Sequence, residues 1–463
     1  MNSVNHLSRA TATEIVRHLQ TAGFAAFWVG GCVRDFLIGR EPQDYDIATD
    51  ARPEQIEKLF KRTLAVGRKF GVMIVVEGGH HFQVATFRAE AEYRDGRRPE
   101  RVVFSSAEAD AQRRDFTVNG LFFDPVAEKL HDWVGGEKDL QAKIIRTIGA
   151  PEERFSEDHL RLLRAVRFAA QLGFEIEPQT FAAVKKLAPK IELISAERIR
   201  DELIKLFSQN KVGLASYLPN DRQAVCPTIA ARGLVLLRDS RLLPGVLPEL
   251  IATLLCEQSP DYHPEGTVFE HIRLMLDKMP PDSSPSLPWA VILHDIAKPA
   301  TAERDPATGA IHFYGHEKVS AAMAERILQR LRFPKKQIEE IVACVRQHMQ
   351  FKDVKLMRKA TLRRLLLRKT FPLELELHRL DCLGSHGNLE HYEFLVAQAE
   401  ELKKKPAIRP PLLTGRDLIK LGMKPGPAMG ALLDEIREKQ LADELKTPRE
   451  AKAWVKKQLQ SDD

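Results

Sequence analysis

Asp44 and Asp46 stand two residues apart in QDYDIAT, shortly after a glycine pair, Gly30 and Gly31, in WVGGCVRDFLIG. On a strand, residues i and i+2 point to one face, about 7 Å apart along the chain. Two carboxylates on one face repel unless a cation sits between them, and a divalent ion is the natural one. Two glycines let backbone come close to a bound group. CVRDFLIG reads as a helix whose free N–H groups would face that group, which suits phosphate. The glycines and the aspartates therefore answer each other as a triphosphate site and its Mg2+. A bare D-x-D also occurs as turn and cap residues; the glycine pair at this distance favours the metal.

The elements that must position these residues follow from periodicity. AFWVGG, DYDIAT, VMIVVE, FQVATFR and RVVF read as short strands, with ARPEQIEKLFKR as a helix between them. From about Pro151 onward strand signals largely vanish. SEDHLRLLRAVRFAAQLGF and SAERIRDELIKLF carry helical apolar spacing, and each opens with a Ser suited to capping. Pro and Ser clusters at 259–266 and 280–288 mark loops, and KKKPAIRPPLLTG at 403–415 reads as a linker. The expectation is an α+β chain, a small mixed-sheet head followed by a long all-α neck and body. Its divisions are a head at 1–145, a helical neck at 146–212, a helical connector at 213–262, a further domain at 263–390 and a helical tail at 391–463.

A length of 463 residues suggests two to four domains, and 44% hydrophobic with 29% charged residues is ordinary for a globular protein. The net charge of +6 is compatible with a polyanionic partner without demanding one. Five scattered cysteines with no C-x-x-C pair argue against a disulfide framework. The N-terminus lacks a signal pattern and no run approaches the roughly 18 apolar residues of a membrane span. A cytoplasmic protein without a membrane partner is expected, of undetermined oligomeric state.

GGCVRDFLIGREPQDYDIAT resembles the signature of class II tRNA nucleotidyltransferases, the CCA-adding enzymes and their bacterial poly(A) polymerase relatives in the polymerase-β-like superfamily. The resemblance continues in order through VGRKFGV, ATFRAEAEYRDGRRPERVVF, RRDFTVNGLFFDP, DWVGGEKDL, RFSEDHLRLLRAVRFAAQLGF and ISAERIRDELIKLF, covering residues 20 to 210. It implies a polymerase-β-like head in which Asp44 and Asp46 hold Mg2+ and Gly30, Gly31 and Arg34 contact the triphosphate. In RRDFTVN, Asp115 would accept from a ribose 2′-hydroxyl, with Arg114 and Asn119 helping with phosphate and sugar. One position departs from the family. Its strand often opens with a Glu, a third carboxylate, where this chain has Gln83, and an amide cannot supply that charge.

EDHLR carries the base-selecting expectation. Asp158 and Arg161, three apart, are neighbours on one helix face, where the plain use is an ion pair worth about a few tenths of a kcal/mol. Cytosine and adenine both present an amino donor beside a ring-nitrogen acceptor. A carboxylate and a guanidinium match that pattern, whereas guanine and uracil reverse it. Arg164, one turn on, orients the pair or touches phosphate. EYRDGRRPERV at 92–102 matches the flexible loop for the switch from C to A addition. VGRKFGVMIVV and the mixed-charge C-terminus look like the CCA-adding branch rather than the poly(A) branch.

WAVILHDIAKP sets His294 beside Asp295, with His271 upstream and His316, His348 and Asp381 downstream. Together they resemble the pattern of HD-domain metal-dependent phosphohydrolases and make 263–390 an expected HD domain. The resemblance implies His271, His294, Asp295 and Asp381 as metal ligands, with His316 and His348 as second-metal or phosphate contacts. Such ligands suit Mn2+, Ni2+ or Zn2+ better than Mg2+. After His348, residues 352–369 hold eight Lys/Arg against one Asp, which suits the phosphates of a tRNA arm. The expected function is template-independent addition or repair of the tRNA 3′-CCA from CTP and ATP, on the acceptor arm, with secondary HD phosphohydrolase chemistry. The alternatives are A-only addition, poly(A) polymerase activity, or an HD phosphohydrolase with an RNA-binding head.

Overall fold

The computed structural model describes residues 2–89, 103–208, 228–260, 263–404 and 410–461. The chain divides into two compact units, Met1–Ile251 and Ala252–Asp463.

The first unit opens with the helix Asn2–Thr21 and a seven-stranded mixed sheet. Its strands run in the order Thr63–Gly67, Val72–Glu77, His80–Thr86, Ile47–Thr49, Ala26–Val29, Phe122–Asp124, Lys129–His131. Ala26–Val29 sits centrally because both of its faces are apolar. Trp28 packs on Tyr45 with ring centroids 4.8 Å apart, while Phe27 faces Phe87 and Phe122, each at 6.1 Å. Ile47–Thr49 pairs in parallel with His80–Thr86, Ile47 opposite Val84, so Asp46 and Gln83 precede the paired residues at neighbouring strand positions. The helix expected in ARPEQIEKLFKR spans Pro53–Leu59, with Pro in its first turn.

Residues after 150 form the helices Pro151–Glu157, Leu160–Leu172, Pro178–Leu187, Ala196–Phe207 and Ile229–Asp239. Two sequence expectations are corrected here. SEDHLRLL is not one helix: Asp158 breaks it with an extended backbone, φ −149° and ψ 104°. Its side chain explains the restart, since Oδ1 accepts the Leu160 N–H at 3.0 Å. Neither serine caps its helix. Ser156 bonds back to the Glu152 carbonyl, and Ser195 occupies the N-cap without a side-chain hydrogen bond.

In the second unit, helices Val268–Asp277, Leu287–Leu293, His316–Arg330, Lys335–Gln347 and Phe371–Gly384 pack together, with a small antiparallel pair, Glu303–Arg304 and Ile311–His312. The basic stretch 352–369 is largely tied up within this unit, which weakens its reading as a phosphate grip. Lys359 and Arg363 pair with Asp443 at 2.7 and 2.8 Å, Arg368 with Glu374 at 3.3 Å, Lys355 with Glu390 and Arg364 with Glu438. Apart from Glu374, the acids sit far along the chain, so local charge counting could not find them. Among the described residues no helix is long and apolar enough to cross a membrane.

Trp289 is 1% exposed and packs edge-on against Phe333 at 4.8 Å. Trp289→Ala is expected to cost about 3–5 kcal/mol, read as a lower denaturant midpoint of the second unit.

Candidate active site

A cavity of about 530 Å³ opens where the strand ends of the first unit meet its helices, lined by Gly30, Gly31, Arg34, Asp46, Gln83, Arg88, Arg113, Arg114, Asp115, Asn119, Asp158, Arg161, Arg164, Phe168 and Arg198 among others. Seven of the lining residues are arginines and three are aspartates. Such an excess of fixed cations attracts a polyanion.

Asp46 is in the wall and Asp44 is not, although both residues keep an exposed edge. Both precede the strand Ile47–Thr49 instead of lying within it, yet the expected alternation holds, because Tyr45 between them is buried. Loss of water pushes the Asp46 carboxyl above its ordinary range; Asp44 adds to the rise and Arg114 opposes it. Gln83 lines the same wall, so no third acid comes from that position.

Gly30 adopts φ +75°, and a Cβ built there would lie 2.8 Å from Arg114 Nη1. Only a glycine lets the guanidinium come this close. Its partner Asp110 is a residue the sequence reading missed. The carboxylate, 1% exposed, takes Arg113 on Oδ1 and Arg114 on Oδ2, with Arg114 Nη2 at 3.0 Å. Burial alone would raise its pKa, but the two arginines hold it below the usual range. The signal was present in DAQRRD, which places one acid three and four residues before two arginines on a helical turn.

Asp115 is the centre of a second relay. Its Oδ1 accepts from the Phe116 N–H at 2.9 Å and from Asn119 Nδ2 at 3.2 Å, and its Oδ2 accepts from Arg164 Nε at 2.7 Å. Asn119 Oδ1 in turn accepts from Arg34 Nη1 at 2.6 Å. Burial opposes ionisation, yet Arg164 and these hydrogen bonds keep the Asp115 carboxyl below its ordinary range. Arg34, Arg164 and Arg167 also converge on the Phe168 ring, at 5.4, 5.2 and 4.1 Å.

Asp158 and Arg161 both line the cavity but do not form the expected helical pair. Arg161 Nη1 donates to the Arg154 carbonyl at 2.8 Å and pairs with Glu157, while Asp158 Oδ2 accepts from Arg198 Nη2 at 2.6 Å. The loop at 92–102 lies outside the described residues.

In the second unit the remaining candidates converge. His271 Nε2 lies 3.1 Å from Asp381 Oδ1, and His294 Nε2 lies 3.1 Å from Asp295 Oδ2. Asp295 Oδ1 lies 3.1 Å from His316 Nε2 and 3.6 Å from His348 Nε2. His294, His316 and His348 each turn Nδ1 to a backbone carbonyl, at 2.9, 2.7 and 2.7 Å, and His271 turns it to Glu265 at 2.6 Å. Their Nε2 atoms therefore face inward. Despite burial, His294 and Lys298 hold the Asp295 carboxyl well below the usual range. Lys298, 2.7 Å from Asp295, and Glu265, shared by His263 and His271, were not foreseen. They come from a turn and a loop whose spacing carries no motif. The four cysteines among the described residues are free.

Asp110→Asn is expected to loosen both arginines, weakening tripolyphosphate binding about tenfold and destabilising the first unit by about 1–3 kcal/mol. Calorimetric titration and denaturation measure the two effects; unchanged anion affinity would contradict the clamp.

Comparison with known proteins matches these regions in turn. Residues 26–146 match the Poly A polymerase head domain, 173–215 the "Probable RNA and SrmB- binding site of polymerase A", and 312–454 the tRNA nucleotidyltransferase domain 2 family. A CCA-adding enzyme of Enterococcus faecalis is 42% identical over 230 residues, 49% of this chain and 56% of that protein. One of Latilactobacillus sakei is 40% identical over 259 residues, 54% and 65% of the two chains. The chain thus spans about half to two thirds of the length of these curated relatives. Among solved structures, the Bacillus stearothermophilus CCA-adding enzyme in complex with CTP superposes with a TM-score of 0.69 at 26% identity, covering 97% of each chain. The Thermotoga maritima CCA-adding enzyme complexed with tRNA shares the fold, with a TM-score of 0.54 at 19% identity over 97% of this chain and 95% of that one. Its head, RNA-binding and C-terminal regions are thus each similar to parts of poly(A) polymerases and tRNA nucleotidyltransferases.

Proposed function

We propose that the chain adds or repairs the 3′-terminal CCA of tRNA from CTP and ATP without a nucleic-acid template. The observation that carries this reading is one cavity that joins an acid at a strand end, a cluster of arginines and an acid–guanidinium pair able to read a base edge. The names of the relatives and the CTP and tRNA complexes of similar structures support it.

Asp44 and Asp46 fit Mg2+: the donors are all oxygen, and the Asp46 carboxyl, raised by loss of water with a smaller contribution from Asp44, is one a cation would favour in its charged form. When bound, the ion would supply Lewis-acid activation of the primer 3′-hydroxyl and neutralise charge on departing pyrophosphate. The chain's own groups do the rest. Arg114 and Arg34 would take phosphate oxygens beside the Gly30–Gly31 backbone. Asp115, held by Arg164 and Asn119, keeps lone pairs for a ribose hydroxyl. Asp158 accepts the amino proton of cytosine or adenine, and the helical neck around it excludes water from the base. The body would read tRNA through shape and backbone contacts.

A second reading concerns the His/Asp cluster of the second unit. Three groups of ligand atoms lie within metal-binding range, including His271, His294 and Asp295, and Asp295, His316 and His348. Two imidazole Nε2 atoms 3.1 Å apart, on His316 and His348, face each other with their other nitrogens on carbonyls. Asp295, 3.1 Å from His316 Nε2, favours a proton there, and a cation held by the two Nε2 atoms and this carboxylate would replace it. We infer a transition-metal site of the HD type here, with His271, His294, Asp295 and Asp381 as its first ligands and phosphohydrolase chemistry as its capacity.

Incubation with three synthetic tRNAs, lacking CCA, ending in C and ending in CC, tests the main reading. All three should be completed with CTP plus ATP, and GTP and UTP refused. Addition of A to the CC-ending tRNA alone indicates an A-adding enzyme, and long A tails a poly(A) polymerase. Asp46→Ala should lower incorporation at least 1,000-fold, on the order of removing a transition-state charge contact; sustained incorporation would refute the site. His294→Ala with Asp295→Ala should empty the second unit of metal by elemental analysis and leave nucleotide addition intact.

A further inference from the structure

The four imidazoles of the second-unit cluster aim Nε2 inward by two different means. His294 and His348 stand at the C-caps of the helices Leu287–Leu293 and Lys335–Gln347, and His316 opens the helix His316–Arg330. Carbonyls at a helix end have lone pairs to spare. Each of these rings turns Nδ1 to the carbonyl three residues earlier, of Val291, Val345 and Phe313. His271 lies inside the helix Val268–Asp277, where carbonyls are committed to backbone N–H groups. Its Nδ1 turns instead to a carboxylate oxygen, Glu265 Oε1, at 2.6 Å.

Glu265 reaches the ring from the turn before that helix. HPEG, residues 263–266, puts Pro264 and Gly266 at the second and fourth positions of a tight turn, closed by the Gly266 N–H on the His263 carbonyl at 3.2 Å. Gly266 takes φ +102° as the chain enters the helix. The Glu265 side chain is left 4% exposed, and Oε1 also accepts from His263 Nδ1 at 2.9 Å. Among the described residues no Lys or Arg pairs with this buried carboxylate; its partners are the two imidazoles.

We propose that Glu265 is a positioning residue of the second-unit metal site, fixing the His271 proton on Nδ1 and strengthening Nε2 as a ligand through its charge. The proposal rests on the HD-type metal reading above. An ionised carboxylate only accepts hydrogen bonds, so the proton sits on the Nδ1 that faces it. Nε2, 3.1 Å from Asp381, is the atom left for a metal ion. Coordination draws positive charge onto the ring, and a carboxylate stabilises that charge more than a neutral carbonyl does. The metal in turn supplies, through the ring, the positive charge that a buried carboxylate without Lys or Arg needs. His263 on the same oxygen pins the carboxylate in place.

The test titrates Co2+ into the full chain with Mg2+ in excess, so that the first-unit carboxylates are filled, and reads affinity and the visible d–d absorption of the bound ion. Glu265→Gln still accepts from both imidazoles but lacks the charge; it should bind Co2+ roughly tenfold more weakly than wild type, with a shifted d–d band. Glu265→Ala, which also frees the ring to turn, should lose roughly a hundredfold. Far-UV circular dichroism establishes folding, and the near-isosteric glutamine guards against its loss. Wild-type affinity and spectrum in folded Glu265→Gln would overturn the proposal and leave the metal site standing. A wild-type chain that takes up no Co2+, or whose uptake survives His294→Ala with Asp295→Ala, overturns the metal reading, and this inference with it.

Discussion

The cavity of the first unit depends on holding several guanidinium groups close together before any anion arrives. Like charges a few ångströms apart repel strongly where water is scarce. The fold answers with carboxylates placed between them, Asp110 and Asp115 buried and Glu157 and Asp158 half-buried. Asp110 takes Arg113 and Arg114, Asp115 takes Arg164, Glu157 takes Arg154 and Arg161, and Asp158 takes Arg198. Each acid fixes the direction of its arginines and lowers the cost of assembling them. Part of each guanidinium's donor set remains for a ligand.

This constraint explains the local backbone. Gly30 has no Cβ because Arg114 lies against it, and the helix must break at Asp158 because that carboxylate caps its own restart while meeting Arg198 from another helix. Strand ends and the broken neck thus bring acids and guanidinium groups to one cavity, where the proposed function would use them on phosphate and base. Under the proposed function, without a nucleic-acid template, the groups that would read the base need rigid placement, and Asp158 and Arg161 are each tied to a second partner.

The strands, the glycine pair and the two aspartates were legible because their signals are local: alternation, a short apolar run, an i, i+2 spacing. Asp115 and Asn119 were legible together in RRDFTVN and Arg164 separately beside Asp158 and Arg161, although their mutual hydrogen bonds were not. The continuous helix through SEDHLRLL was misjudged because periodicity takes no account of a side chain that caps the chain's own next turn, whereas Asp158 and Arg161 do line one cavity. Arg198 lies 40 residues from its partner. Glu265, and the acids that neutralise the basic stretch 352–369, likewise belong to tertiary structure. The cluster around Asp295 was found from residue order, but the inward aim of its Nε2 atoms depends on backbone carbonyls that no sequence pattern records.

The central claim is that side chains of the first unit alone choose the base. Equilibrium binding of CTP, ATP, GTP and UTP to the full chain with Mg2+ and without RNA tests it most directly. The account predicts that CTP and ATP bind with similar affinity and that GTP and UTP bind roughly tenfold or more weakly, the cost of leaving one charged hydrogen bond unmade. Equal binding of all four nucleotides would contradict it.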